Sequence, residues 1–319
     1  MTVRTGPSMA VVVCTASLER APLLRACVDS LLCGERLPDE LYVVVDTNPS
    51  LAAELAGSLP AGARLLQCDG AGLSAARNAG IAASSSDVIA FLDDDATADP
   101  RWLAALAEAF AADPQLLGAG GPVLPHWDAE RRWMPDELLW VVGCTYAGHR
   151  LDAGPIRNPI GCNMAFRRHE LTAVGCFETS FGKRRGALST CDETELALRL
   201  QREHGSDRIH YVPEARVHHT VPASRVSWRL LMQRSLSEGV AKGRLQRQFA
   251  GAPLATERGY VRLLVTRAGP RLVLTGVRRR DRDSALGAVA IAACLTVTAA
   301  AYLLGIAREA HAGRRDATS

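Results

Sequence analysis

Apolar runs of strand length alternate with helically spaced apolar positions through the first hundred residues. Met9-Ala10-Val11-Val12-Val13-Cys14 has no polar interruption, as expected of a strand covered on both faces. From Ala21 to Cys33, residues Leu23, Leu24, Cys27, Val28, Leu31 and Leu32 recur at helical spacing, and Gly34 is the expected stop. Leu41 to Val45 repeats the strand pattern, ends in Asp46 and runs into the turn residues Asn48-Pro49-Ser50. A helix over Leu51 to Leu59, a short strand near Arg64 to Gln67 and a helix over Leu73 to Ala83 follow. Then comes Val88-Ile89-Ala90-Phe91-Leu92, an apolar strand that stops abruptly at Asp93-Asp94-Asp95. Strand-helix alternation of this kind predicts an α/β fold with a mainly parallel sheet, right-handed crossovers and helices on both faces.

After a helix over Trp102 to Ala112, ended by Asp113-Pro114, the rhythm loosens. Gly118-Ala119-Gly120-Gly121-Pro122 opens a long irregular stretch carrying Trp127, Trp133 and Trp140. Those rings are either sugar-stacking surfaces or, more commonly for tryptophan, buried packing. Asn163 to Arg168 reads as a strand turning into a helix that Gly175 ends, and Asp192 to Gln201 as a helix with Glu195 and Arg199 paired at i,i+4. Trp228 to Gly243 is a polar-basic helix.

Composition narrows the reading. At 319 residues the chain can hold one large domain with an appendage, and a formal charge of +3 gives no argument for nucleic acid. Nine cysteines, scattered singly and without a Cys-x-x-Cys, fit reduced thiols in a cytoplasm better than a disulfide framework or a zinc site. The N-terminus lacks the charged start and apolar core of a signal peptide.

The acidic tip carries the strongest chemistry. Side chains alternate along an extended segment, so Asp93 and Asp95 can face one way and Asp94 the other. Two carboxylates ~5 Å apart repel by roughly 3 kcal/mol at an effective dielectric near 20, a cost that a divalent cation reverses. Oxygen ligands favour Mg²⁺ or Mn²⁺, with the remaining shell drawn from substrate phosphates. The plain alternative is an acidic turn capping the helix that begins near Asp99-Pro100. Ligands of such sheets bind beyond the carboxyl ends of the strands, where Thr15, Asp46 and Asp93 to Asp95 can share one crevice.

Six motifs in order, Val12-Val13-Cys14-Thr15, Val44-Val45-Asp46, Gly72 to Gly80, Phe91 to Asp95, Gly161 to Arg168 and Cys191 to Leu196, resemble those of family 2 glycosyltransferases. The resemblance covers Met9 to Gly243. It implies an A-type glycosyltransferase fold with a Rossmann-like sheet, a nucleotide-diphosphate sugar donor, a divalent cation (Mn²⁺ or Mg²⁺) and inversion at the anomeric carbon. Position by position, it implies that Thr15 and Asp46 hold the nucleotide's base and ribose, Arg77 lines the donor pocket, Asp93 with Asp94 serves the donor side, and Asp95 is the metal ligand. Ser74 and Asn78 read equally as local caps.

Inversion needs a base opposite the leaving group. The family order at this position is glutamate then aspartate, whereas this chain has Asp192-Glu193; position favours Glu193, with Asp192 as the alternative. His218-His219 follows a short strand, and His219 is the preferred candidate for the cation's shell.

Residues 284–307 contain no charge and reach ~35 Å as a helix, enough for a ~30 Å hydrocarbon core. A transmembrane helix is expected there, with an amphipathic or packed helix as the alternative. Residues 8–250 then form the catalytic domain, 251–283 a basic amphipathic linker on anionic lipid, and 308–319 a short polar tail. Because nucleotide sugars are made in the cytosol, Arg278 to Arg282 and the catalytic domain are expected on that side. The whole describes a membrane-associated hexosyltransferase that uses a glycan or lipid-linked acceptor in cell-surface polysaccharide or glycolipid synthesis. A processive synthase would need several channel-forming helices. A sugar-phosphate nucleotidyltransferase would want a phosphate loop that Thr15 to Arg20 does not supply, and a non-catalytic nucleotide-sugar or glycan-binding membrane protein is the other alternative.

Overall fold

The computed structural model describes residues 6–128, 130–181, 190–249 and 255–316; the expected linker's first residues, 251–254, and the tail's last, 317–319, lie outside them. The described residues form two compact units, one of residues 6–126, 150–181 and 192–220, the other of 127–128, 130–149, 190–191, 221–249 and 255–316.

The opening alternation is realised as β1 (Met9–Thr15), α1 (Ala21–Leu32), β2 (Glu40–Asp46), α2 (Pro49–Leu55), β3 (Ala63–Cys68), α3 (Leu73–Ala83) and β4 (Val88–Asp93). Strand residues 9–13 are at most 1% exposed, so both faces are covered and the runs need no polar positions. Burying each Val or Leu side chain contributes roughly 1.5–3 kcal/mol. Two helix ends differ from expectation. Helix α2 stops at Leu55, and α1 is closed by the Cys33 N–H donating to the Asp29 carbonyl, while Gly34 serves instead to approach the Pro100 carbonyl.

The remaining elements are β5 (Ala96–Ala98), α4 (Trp102–Ala112), β6 (Gly118–Gly120), β7 (Val123–Trp127), β8 (Gly154–Pro155), β9 (Asn163–Arg167), α5 (Arg168–Ala173), α6 (Asp192–His204), β10 (Ile209–Tyr211) and β11 (Val217–Val221). Among the described residues, eight strands make one sheet in the order β3-β2-β1-β4-β9-β6-β10-β8. The pairs β3-β2, β2-β1, β1-β4 and β6-β10 are parallel, whereas β9 runs antiparallel to both β4 and β6. A second, three-stranded sheet has the order β5-β11-β7. Val12, Tyr42, Val44, Phe91, Met164, Phe166, Leu196 and Leu200 pack into the core between the large sheet and its helices. The glycines of the irregular stretch are required by close approach. A Cβ on Gly121 would lie 2.1 Å from the Ala215 carbonyl oxygen.

The second unit is largely helical: α7 (Trp228–Gln248), α8 (Ala255–Leu263), α9 (Gly269–Arg279) and α10 (Arg282–Asp316), with α8 and α9 joined by a wide turn at Leu264–Ala268. Helix α10 extends beyond the expected 284–307. Its small residues face α7, and a Cβ on Gly243 would stand 2.3 Å from the Tyr302 carbonyl and 2.9 Å from Gly305 Cα. Its larger residues Leu286, Val289, Leu303 and Leu304 are exposed, as are Val265, Val273, Leu274 and Val277 on the preceding segment. Tryptophans here pack internally: Trp133 stacks on Trp228 with centroids 4.9 Å apart, and Trp140 Nε1 donates to the Tyr260 hydroxyl.

Candidate active site

Because β4 lies between β1 and the antiparallel β9, its carboxyl end is flanked by the end of β1 and the start of β9. The strand ends at Asp93, and the turn into β5 carries Asp94 and Asp95. Thr15 Oγ1 donates to Asp94 Oδ2 at 2.7 Å, and Arg20, on a short turn after β1, places NH1 2.6 Å from Asp94 Oδ1 and NH2 3.3 Å from Asp95 Oδ2. Burial raises the Asp94 carboxyl pKa; Arg20 pulls it down, Asp95 pushes it up, and the net shift is upward. Asp94 is thus bound up with Thr15 and Arg20, and Arg20 bridges it to Asp95.

Asp95 and Asp93 converge on His219. β11 pairs antiparallel with β5, His219 opposite Ala96, which sets His219 Nε2 3.2 Å from Asp95 Oδ1. Strand alternation sends the neighbouring His218 elsewhere, to Asp99 at 2.8 Å. Asp93, His219 and Cys162 each offer a ligand atom, and these three atoms lie within 4.8 Å of one another.

On the other side of Asp93 stands Arg77, which α3 delivers into the interior at 3% exposure. Its NH1 lies 2.6 Å from Asp192 Oδ2, while NH2 donates to the Gly161 carbonyl at 3.0 Å and lies 3.6 Å from Asp93 Oδ1. Burial alone would lower the arginine's pKa, but Asp192 and Asp93 outweigh it and hold the guanidinium charged. Asp192 is itself buried and accepts from Ser74 Oγ at 3.4 Å. Glu193, the next residue in the first turn of α6, is only partly covered, and its Oε2 comes within 3.7 Å of where a Cβ on Gly161 would stand. The two adjacent acids therefore have different surroundings: Asp192 is locked on Arg77, and Glu193 lies at the Gly161 turn.

Asp46 accepts from the Gly72 N–H at 3.1 Å and so fixes the entry to α3, where Gly72 has φ 104°. Ser74 and Asn78 are not local caps. Ser74 Oγ donates to the Phe181 carbonyl, and Asn78 exchanges hydrogen bonds with the Phe177 backbone in both directions, so α3 is tied to a distant segment. Two contributors had no clear sequence signal. Arg20 lies on the turn after β1 and belongs to no motif, and Cys162 immediately precedes the asparagine that opens β9. That asparagine is structural: Asn163 accepts from Trp102 Nε1 and donates to the Pro122 and Ala215 carbonyls.

The donor chemistry fits a divalent cation. A separation of 3.2 Å between His219 Nε2 and Asp95 Oδ1 matches that of two neighbouring ligands on an ion with bonds of roughly 2.1–2.2 Å. The Asp93 side chain is 34% exposed, which leaves part of the shell open to water or substrate oxygens.

Comparison with known proteins agrees. The glycosyl transferase family 2 profile matches residues 11–174. The glucosyl-dolichyl phosphate glucuronosyltransferase of Haloferax volcanii is 32% identical over 238 residues, 73% of this chain and 76% of that one. Succinoglycan biosynthesis protein ExoM of Rhizobium meliloti is 31% identical over 205 residues, 63% of this chain and 62% of that one. The mannosyltransferase PcManGT of Pyrobaculum calidifontis, solved with GDP-Man and Mn²⁺, shares the fold with a TM-score of 0.61 at 19% identity over 95% of this chain and 88% of that one. GalNAc-T7, solved with UDP, GalNAc and Mn²⁺, gives 0.51 at 14% identity over 78% of this chain and 52% of that one.

Proposed function

The chain belongs to glycosyl transferase family 2 and is a nucleotide-sugar glycosyltransferase of the A-type fold, in which we propose that Glu193 is the catalytic base and Asp95 with His219 the cation's ligands. The observation that carries this reading is convergence: Gly161 and Arg77 join the acidic tip of β4 to a carboxylate a hundred residues later on α6. Glu193 takes the proton from the acceptor hydroxyl, whose oxygen attacks the anomeric carbon as the bond to the diphosphate breaks on the opposite face. Arg77 holds Asp192 and Asp93 in place and contributes positive charge near the departing phosphates. Thr15, Asp46, Asp93 and Asp94 serve the nucleotide, Asp46 by setting the Gly72 turn and Asp94 by fixing Thr15 and Arg20. A bound Mn²⁺ or Mg²⁺ would neutralise charge developing on the leaving diphosphate.

A lipid-phosphate-linked glycan is the proposed acceptor, supported by the name of the Haloferax relative. The proposed anchor is α10, through the apolar face that α7 leaves uncovered, with residues 8–250 as the catalytic part on the cytosolic side and 251–283 as a basic segment on anionic lipid.

The test is transfer from a panel of nucleotide sugars in Mn²⁺ or Mg²⁺, with donor binding measured in parallel. Glu193→Gln should lower kcat by about 10²–10⁴-fold with donor affinity retained, and Asp95→Ala should lose cation-dependent turnover. Full transfer by either variant would overturn its assigned role.

A further inference from the structure

Three thiols surround the acidic tip of β4, and one of them faces the cation site. Cys27 on α1 donates from Sγ to the Asp93 backbone carbonyl, and Cys14 on β1 pairs with Asp93 across the parallel ladder. Cys162 is placed differently. The β4-β9 register runs from Val88 opposite Arg167 to Leu92 opposite Asn163, so Cys162, in the turn that leads into β9, precedes the residue paired with the last position before Asp93. Its Sγ lies within 4.8 Å of a carboxylate oxygen of Asp93 and of a ring nitrogen of His219. The neighbouring Asn163, held by Trp102, Pro122 and Ala215, fixes the strand start from which the thiol projects.

From this convergence, and resting on the cation site proposed above, we infer that Cys162 is a further ligand of the cation. The site then offers carboxylate oxygen, imidazole nitrogen and thiolate sulfur, the thiol proton leaving to solvent on coordination. Mixed donors of this kind discriminate between the two ions that oxygen ligands alone leave open. Mg²⁺ demands oxygen and gains little from sulfur, whereas Mn²⁺ accepts it and Co²⁺, Zn²⁺ and Cd²⁺ gain more. The enzyme should therefore favour Mn²⁺ or Co²⁺, and Zn²⁺ or Cd²⁺ should displace them. Both Cys162 and His219 are nearly excluded from water, at 4% and 3% exposure, so the sulfur meets the ion rather than bulk solvent.

The experiment is spectroscopic and needs no turnover. The full-length protein is titrated with Co²⁺, alone and with inorganic pyrophosphate in place of the donor's diphosphate. Wild type should develop a sulfur-to-cobalt charge-transfer band in the near ultraviolet. Cys162→Ser and Cys162→Ala should lose that band while still binding Co²⁺, and should bind Cd²⁺ at least about tenfold more weakly. Co²⁺ bound to wild type without the band, or a band that survives in both variants, overturns the inference and leaves the Asp95-His219 site standing. Failure of wild type to bind Co²⁺ or Mn²⁺ under either condition overturns the cation site itself.

Discussion

At the end of β4, charged side chains are paired away from water, whereas along α7 and α10 the closest approaches are made by residues with almost no side chain. Arg77 reaches Asp192 at 2.6 Å and Asp93 at 3.6 Å from a nearly inaccessible position. In the helical unit, Gly243 and Gly305 allow backbone contact while α10's larger apolar side chains stay outside. Buried charges tolerate little change in a partner, because each remaining ion is left without compensation. A glycine contact has no such partner to strand; it is sensitive to volume, and the face turned outward is free to vary with the surroundings. The proposed catalytic site and the proposed anchor thus draw on different physics.

The sharpest way to break this contrast is Arg77→Met. Removing the guanidinium leaves the Asp192 carboxylate buried without its cation, and the expected cost is about 3–5 kcal/mol in chemical denaturation. Adding Asp192→Asn should recover part of that loss, because the stranded charge goes with it. A single-variant cost below about 1 kcal/mol would mean that charge pairing does not organise this region.

The contrast also explains what could be read in advance. β1, β2 and β4 are buried on both faces, so their sequences are uninterrupted apolar runs that announce themselves. That His218 and His219 point apart follows from the two-residue period of a strand, but which of them meets Asp95 is set by the pairing of β11 with β5. β6 and β8 span three and two residues, glycine-bearing, and exist only because β9 and β10 pair with them over long sequence distances, so no local pattern could reveal them. The Trp133-Trp228 stack is likewise non-local. Arg20 was illegible for another reason. Its partners are set by where the turn after β1 lies relative to β4, a tertiary fact with no motif. The reversed Asp192-Glu193 order left the two acids undecided, and the buried Arg77 contact distinguishes their surroundings.

On the helical side, the comparison sharpens through the outward face of α10. Leu303 and Leu304 are 66% and 52% exposed, so replacing both with glutamate leaves the glycine contacts to α7 intact. A charge in hydrocarbon costs about 2.5–3.5 kcal/mol at the centre of a span and less near the interface. The double variant should keep its helical circular dichroism and move from the salt-washed membrane fraction to the supernatant. Unchanged membrane recovery would reject this face as the anchor.

The smallest expected effect concerns a carboxylate of the first unit that is held mainly without a cation. Glu40, at the start of β2, accepts from Ser84 Oγ at 2.6 Å, Ser86 Oγ at 2.7 Å and the Ser85 N–H at 3.0 Å, with Arg64 no nearer than 4.0 Å. Burial alone would raise its pKa, but the serine hydrogen bonds outweigh burial and bring it down to about 2 from the ordinary 4.5. A carboxyl depressed on folding contributes stability that is complete above its unfolded pKa and fades as pH falls toward the folded one. Glu40→Gln should therefore cost about 1–2 kcal/mol at neutral pH, and the gap to wild type should close between pH 4.5 and about 2. Denaturation midpoints across that range would read it directly. A gap that stayed constant with pH would mean that the serines hold the side chain by shape and not by its charge, and would bring this corner of the sheet closer to the α7-α10 contact than to the Arg77 pair.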